Sequence, residues 1–160
     1  KVQGNGSLLS AFQAAAQPEG AYIRMEKMKM DLPKLFPVGE ENTAYAEYFV
    51  GKSYLRMLTT EPLGIGNVTF EPGCRNNWHI HHRGGQILLV TGGRGWYQEW
   101  GKAAQQLLPG DVVKIAPEVK HWHGAAKDSW FSHLAIEVPA EGATNEWLEA
   151  VNEEAYQKLK

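Results

Sequence analysis

The stretch that decides the fold runs from Gly73 to Gly93 and reads GCRNNWHIHHRGGQILLVTGG. Side chains two residues apart on a β-strand point to the same face, so His79 and His81 would present two imidazoles to one point. His82 is offset by one residue and should point away from them. Gln86 opens the next apolar run after a Gly-Gly turn. A hairpin at this turn would bring the Gln86 amide over the face that carries the two imidazoles.

Three further histidines lie later in the chain. His121 and His123 follow the apolar run 112–116, and the two-residue period places them on one face. His133 lies inside the apolar run 131–138. A metal site needs three or four converging N, O or S donors, and imidazole is a common ligand of the transition metals. If these strands line one barrel, the sequence supplies such a site.

Short β-type runs recur from residue 53 onward at spacings near ten residues, with Gly and Pro between them. This pattern is typical of a β-sandwich or barrel, and no run suits the long crossover helix of a βαβ unit. The glycine-rich segment Gly92–Gly95 predicts a tight hairpin between two of the runs. The runs cover residues 53–60, 65–73, 85–93, 95–100, 104–110, 112–117 and 131–139.

The two ends of the chain differ from this middle part. Residues 1–40 are interpreted as an N-terminal arm, whose apolar part 22–30 would suit docking on a partner subunit. Residues 41–160 then form a single domain. Apolar residues recur every four positions near the C-terminus, which predicts an amphipathic helix over residues 144–159 on the outside of the barrel. These apolar residues are Trp147, Val151, Ala155 and Leu159.

Composition limits the function classes. The chain has 160 residues, of which 43% are hydrophobic and 21% charged, as expected for one soluble globular domain. A net charge of −2 without a basic block argues against nucleic-acid binding, and the lack of any ~20-residue apolar run argues against a membrane span. Cys74 is the single cysteine, so no intramolecular disulfide can form. A cytoplasmic location is favoured, and export after a cleaved leader stays open.

The histidine spacing resembles the two-part signature of the cupins over residues 53–140. The first part combines a glycine, the HxH pair, a position that is usually acidic and a closing glycine. The second part runs from Gly110-Asp111 to a histidine. The residues in register are Gly73, His79, His81, Gln86, Gly93, Gly110 and His121. Gln86 stands at the acidic position.

Among the cupins, the chain resembles the manganese-dependent hydroxynitrile lyases and the small cupins grouped with carboxymuconolactone decarboxylase. The decarboxylase itself is helical, and nothing in this sequence resembles it. The resemblance implies an all-β double-stranded β-helix, or jelly-roll barrel, with an N-terminal arm, a C-terminal helix and a homodimeric assembly. It also implies one divalent metal, with Mn favoured and Fe, Zn or Ni as alternatives. The implied metal ligands are His79, His81, Gln86 and His121.

The same resemblance implies that His123 and His133 face the substrate as acid–base groups. The predicted function is therefore a metal-dependent enzyme that acts on a small organic molecule by Lewis-acid and histidine acid–base chemistry, of lyase, decarboxylase or isomerase type. A neutral Gln86 amide leaves the full metal charge uncompensated, which favours Lewis-acid work over oxygen activation. Two alternatives stay open: a ferrous dioxygenase on the same ligands, and a non-catalytic cupin that binds or senses a ligand.

Overall fold

The protein is described by a computed structural model that covers residues 35–160. Most of the predicted arm, residues 1–34, lies outside the described residues, and the predicted homodimer stays a prediction. The described chain consists almost entirely of short β-strands. These are β1 Glu40–Glu41, β2 Phe49–Val50, β3 Ser53–Thr59, β4 Ile65–Phe70, β5 Arg75–Asn76, β6 His79–His82, β7 Gln86–Gly93, β8 Gly95–Glu99, β9 Gln105–Leu107, β10 Val112–Ile115, β11 His121–Ala125, β12 Phe131–Glu137 and β13 Thr144–Trp147. A 3-10 turn at Ala46–Tyr48 and a helix α1 at Glu153–Gln157 complete the described elements.

The strands form two antiparallel sheets. One has six strands in the order β1-β3-β4-β12-β7-β10. The other has seven, with β13-β6-β11-β5-β2 in a row, β8 paired to β11, and β9 paired to β8. The all-β prediction is confirmed, and within residues 35–160 the two sheets do not close into a continuous barrel.

Alternating side chains explain why these runs form sheets. In β7 buried and half-buried residues alternate along the whole strand, and Leu88 and Val90 point into the core between the sheets. β11 is buried throughout, because both of its faces are covered. Its histidines face the interior, and Trp122 packs on the other side against a cluster that includes Trp78 and Tyr156.

The segment Gly92–Gly95 does not form the predicted hairpin. β7 ends at Gly93 in one sheet and β8 begins at Gly95 in the other, so the chain crosses between sheets here. Gly93 has φ +72°, and a Cβ atom on it would lie 1.8 Å from the carbonyl oxygen of Trp130. Only glycine fits this close crossing of two backbones.

The predicted helix over 144–159 is wrong for most of its length. Residues Thr144–Trp147 form β13, which pairs with β6, and only Glu153–Gln157 are helical. The helix is capped by the Asn152 side chain, which accepts from the backbone N–H of Ala155 at 2.9 Å. The apolar residues spaced four apart do not lie on one helix face but contact different parts of the structure. Trp147 stacks on Tyr48, whereas Val151 packs in the Trp122 cluster. Pairing with β6 therefore overrides the local helical period.

Helix length also bears on the membrane question. Among residues 35–160, no helix is long and apolar enough to span a bilayer.

Candidate metal centre

Three predicted ligands come together on neighbouring strands of the seven-stranded sheet. His79 on β6 lies directly opposite His121 on β11, and His81 follows two residues later on the same face. All three side chains are buried. Their ring centroids lie 4.1 to 5.2 Å apart, and one ligand nitrogen from each falls within 4.8 Å of the others. The structure thus brings together the predicted histidine triad.

Hydrogen bonds fix which nitrogen of each ring is free. The Nδ1 atoms of His79 and His121 lie 2.9 Å and 2.8 Å from the backbone carbonyl oxygens two residues earlier. His81 Nδ1 lies 2.7 Å from Oδ1 of Asn145 on β13. Because these partners accept, each Nδ1 carries the proton and each Nε2 keeps its lone pair. Such bonds orient imidazoles in metal sites.

Gln86 lines the same cavity as His79 and His81 but comes from the opposite sheet, not from the hairpin that the sequence predicts. It is the first residue of β7, which belongs to the six-stranded sheet. Its Nε2 donates to Oε1 of Glu137 at 2.5 Å. Its Oε1 is buried and has no hydrogen-bond partner in the described part of the chain. The amide oxygen is therefore available as the fourth donor.

The free atoms of these residues fit a divalent transition metal. His81 Nε2, His121 Nε2 and Gln86 Oε1 are buried acceptors with no hydrogen-bond partner among residues 35–160. A buried polar atom without a partner costs about 1–3 kcal/mol, and a cation would satisfy all three. Three neutral nitrogens and one oxygen are donors that such metals accept.

Burial keeps the imidazoles of His79 and His121 neutral. It lowers the pKa of His121 to about 4 and the pKa of His79 well below its usual 6.5, with neighbouring histidines adding to the effect. Metal binding requires unprotonated imidazole. His79 and His121 can therefore bind a cation at neutral pH without first releasing protons.

His123 and His133 form a second buried pair beside the triad. His123 lies on β11, two residues after His121, and His133 comes from β12 of the opposite sheet. His133 Nε2 lies 3.2 Å from His123 Nδ1. The Asn76 side chain accepts from the His123 backbone N–H at 2.9 Å and places its amide nitrogen 3.2 Å from Nε2 of the ring. The structure thus places both predicted acid–base residues next to the candidate metal centre.

A cavity of about 330 Å³ opens onto these groups between the two sheets. Its walls are mostly apolar or aromatic. One lining residue, Trp147, stacks on Tyr48 at a centroid distance of 4.8 Å. Among the described lining residues, Glu137 is the one acidic side chain, and neither Lys nor Arg is present. The apolar and aromatic lining residues include Tyr45, Phe49, Leu55, Val68, Phe70, Ala135 and Trp147.

Comparison with known proteins places this geometry in a family. No protein-family model matches the chain. An (R)-mandelonitrile lyase from Granulicella tundricola is 42% identical over 117 residues, which cover 71% of this chain and 88% of the lyase. A cupin-like protein from Thermotoga maritima is 43% identical and superposes with a TM-score of 0.72, covering 78% of this chain and 95% of its own. The chain belongs to the cupin superfamily. A cupin 2 barrel domain protein from Rhodopseudomonas palustris, 18% identical with a TM-score of 0.55, agrees in fold over 63% of this chain and 70% of its own.

Three residues of this cupin site were missed by the sequence reasoning. Asn145, which bonds His81, lies in the segment that was predicted as a helix. Asn76 carries no spacing signal that singles it out. Glu137 did carry a signal, because it continues the two-residue period of Phe131, His133 and Ala135 on β12. Extending that period by one more step would have placed Glu137 on the inner face.

The buried His133 predicts an acid-sensitive contribution to the stability of the metal-free cupin. Burial lowers its pKa from 6.5 to about 4. Below pH 6.5 the unfolded chain binds a proton that folded His133 does not, so acidification favours unfolding. His133 should therefore lower the free energy of unfolding by roughly 3 kcal/mol between about pH 6.5 and about pH 4, and contribute no loss above that range.

Urea titrations of metal-free wild type and His133→Gln across this range check the prediction. The variant keeps a polar side chain of similar size that does not titrate. Its free energy of unfolding should therefore decrease by roughly 3 kcal/mol less than that of wild type over the same pH range. Equal losses in the two proteins would show that His133 does not contribute.

Proposed function

We propose that this cupin is a metal-dependent lyase that splits small aromatic hydroxynitriles into an aldehyde and hydrogen cyanide. The observation that carries the proposal is the placement of unpartnered Nε2 and Oε1 atoms beside a neutral histidine pair in one apolar cavity. The similarity to a mandelonitrile lyase supports the choice of substrate class.

The residues that would hold the metal are His79, His81, Gln86 and His121. When bound, a divalent cation supplies Lewis acidity toward the substrate hydroxyl oxygen and stabilises the negative charge that develops there. Manganese is the metal that we propose, and iron, zinc or nickel are outcomes of metal analysis. The neutral donor set suits this role, because it withdraws no charge from the cation.

The histidine pair supplies the proton transfer. The His123–His133 pair accepts the hydroxyl proton, and the hydrogen bond between the two rings stabilises the imidazolium that forms. The electron pair of the bond to the nitrile carbon leaves with cyanide as the carbonyl forms. The proton held by the histidine pair then returns to cyanide, so that the products are the aldehyde and neutral hydrogen cyanide. Burial lowers the pKa of both rings, so both start as neutral groups at pH 7.

The cavity wall favours an uncharged substrate with an aromatic or apolar group. Phe70 contacts both His123 and His133, with ring centroids 5.9 and 5.6 Å away, so an apolar surface adjoins the proton-transfer pair. A substrate carboxylate would meet no Lys or Arg among the described lining residues, and it would meet Glu137. This charge pattern favours a hydroxynitrile over the acids that a decarboxylase would need.

The test is an assay of manganese-loaded protein with racemic mandelonitrile in mildly acidic buffer, where the uncatalysed reaction is slow. We expect benzaldehyde formation with a preference for one enantiomer, and no oxygen uptake. Oxygen consumption coupled to substrate loss would replace the proposal with the dioxygenase alternative. Tight binding of mandelonitrile or benzaldehyde without turnover would replace it with the binding alternative.

A further inference from the structure

Gln86 and Glu137 form a cross-strand pair at the ends of their strands. They lie directly opposite each other in the register of β7 and β12. Gln86 is buried, whereas the side chain of Glu137 is 48% exposed at the cavity. The pair is joined by the hydrogen bond from Gln86 Nε2 to Glu137 Oε1. The sheet thus places a carboxylate directly behind one candidate ligand.

This contact decides which end of the Gln86 amide faces the histidines. The oxygen and nitrogen ends of an amide have nearly the same shape, so hydrogen-bond partners determine its orientation. An ionised carboxylate only accepts, and it therefore requires the NH₂ end of Gln86. The Oε1 atom is left buried and unpartnered on the other side. A flipped amide would direct two N–H donors at the site, where they cannot bind a cation.

The same carboxylate also approaches a second candidate ligand. Its Oε2 atom lies 3.9 Å from Nδ1 of His81, which bonds Asn145. Glu137 therefore bonds one of the four candidate ligands and lies near a second. The sequence predicts a metal environment without a carboxylate, because Gln86 stands at the usually acidic position. The structure modifies this prediction, since the Glu137 carboxylate is hydrogen-bonded to the Gln86 amide.

We propose that Glu137 is a positioning residue that holds the Gln86 amide with its oxygen toward the metal and supplies negative charge behind the donor set. This inference rests on the metal-binding part of the proposed function and is independent of the reaction catalysed. Outer partners of metal ligands usually contribute 10- to 100-fold to metal affinity.

The first test compares the manganese affinity of metal-free wild type, Glu137→Leu and Glu137→Gln by competition with a chromophoric chelator. Leucine removes the acceptor, so we expect binding weakened by about 10- to 100-fold. Glutamine retains an acceptor oxygen and should recover most of the loss. Glu149→Gln is the matched control, because it neutralises an exposed carboxylate that bonds Lys120 and does not line the cavity. Its affinity should equal that of wild type.

The second test exchanges the two groups. Gln86→Glu alone places two carboxylates next to each other, and they repel. In the double variant Gln86→Glu/Glu137→Gln, the new Gln side chain can donate a hydrogen bond to the new Glu side chain, so the pair is restored in the reverse order. The effect of Gln86→Glu on manganese affinity should therefore be about tenfold more favourable when residue 137 is glutamine, a coupling typical of contacting residues. A protein that only needed Glu137 for folding would show no such coupling.

The outcomes separate the two claims. Wild type without manganese binding would overturn both the proposed function and this inference. Wild type that binds manganese, with Glu137→Leu equally tight or with no coupling in the exchange, would overturn the inference alone. Thermal melts of the metal-free variants establish that the compared proteins are folded.

Discussion

Replacement of His123 by phenylalanine should lower kcat for mandelonitrile cleavage by about 10²- to 10⁴-fold, the usual effect of losing a general base, while the protein still binds its metal. Phenylalanine retains the ring volume next to Phe70 and removes both ring nitrogens. His133 then loses its hydrogen-bond partner, so the histidine pair that accepts the hydroxyl proton no longer exists. Steady-state kinetics with metal analysis of the same sample measure both effects.

The matched control for this experiment is His82→Phe. His82 lies on β6 next to His81 but faces outward, where its two ring nitrogens bond Glu118 and Glu146 at 2.6 and 2.8 Å. The same chemical change on the outer face should leave kcat near the wild-type value. If His123→Phe retained wild-type kcat, its role would be limited to packing and the proton would have to move by another route.

The second large effect concerns His81. Loss of a residue that only bonds a metal ligand can weaken metal binding by about 100-fold, and His81→Ala should weaken it by more. Mandelonitrile cleavage should then fall to the uncatalysed rate. The fold should persist, because β6 keeps its backbone pairing with β13 and the exposed Asn145 can bond water instead. The metal-free variant should unfold within about 1 kcal/mol of metal-free wild type, as for the loss of one ordinary hydrogen bond.

Chelator competition, a lyase assay and urea unfolding test these three parts separately. His82→Ala serves as the control, since it truncates the next residue on the same strand. Loss of cooperative unfolding in His81→Ala would show that the imidazole is part of the structural core. Unchanged metal affinity would remove His81 from the ligand set.

Local patterns allowed much of the fold to be predicted. The runs that became β3, β4, β7, β8, β9, β10 and β12 were recognised from alternating or continuous apolar residues bounded by Gly and Pro. The two-residue period also placed His79 and His81 on one inner face and His82 outside. These features depend on neighbours in the chain, so a single sequence reveals them.

The failures concern pairing between distant parts of the chain. Thr144–Trp147 has the spacing of a helix, but hydrogen bonds to β6 make it a strand. The approach of Gln86 from the opposite sheet and the crossing at Gly93 depend on which sheet each strand joins. Side-chain period does not specify sheet membership, and therefore neither feature could be derived from the local pattern.

The measurement that tests the central claim most directly is the metal content of wild type and the double variant His79→Ala/His81→Ala. Both proteins are loaded with manganese, desalted and analysed by plasma mass spectrometry. The converging, buried imidazoles predict near-stoichiometric metal in wild type and almost none in the variant. Little metal in wild type, or equal amounts in both proteins, would contradict the assignment of this cluster as a metal centre.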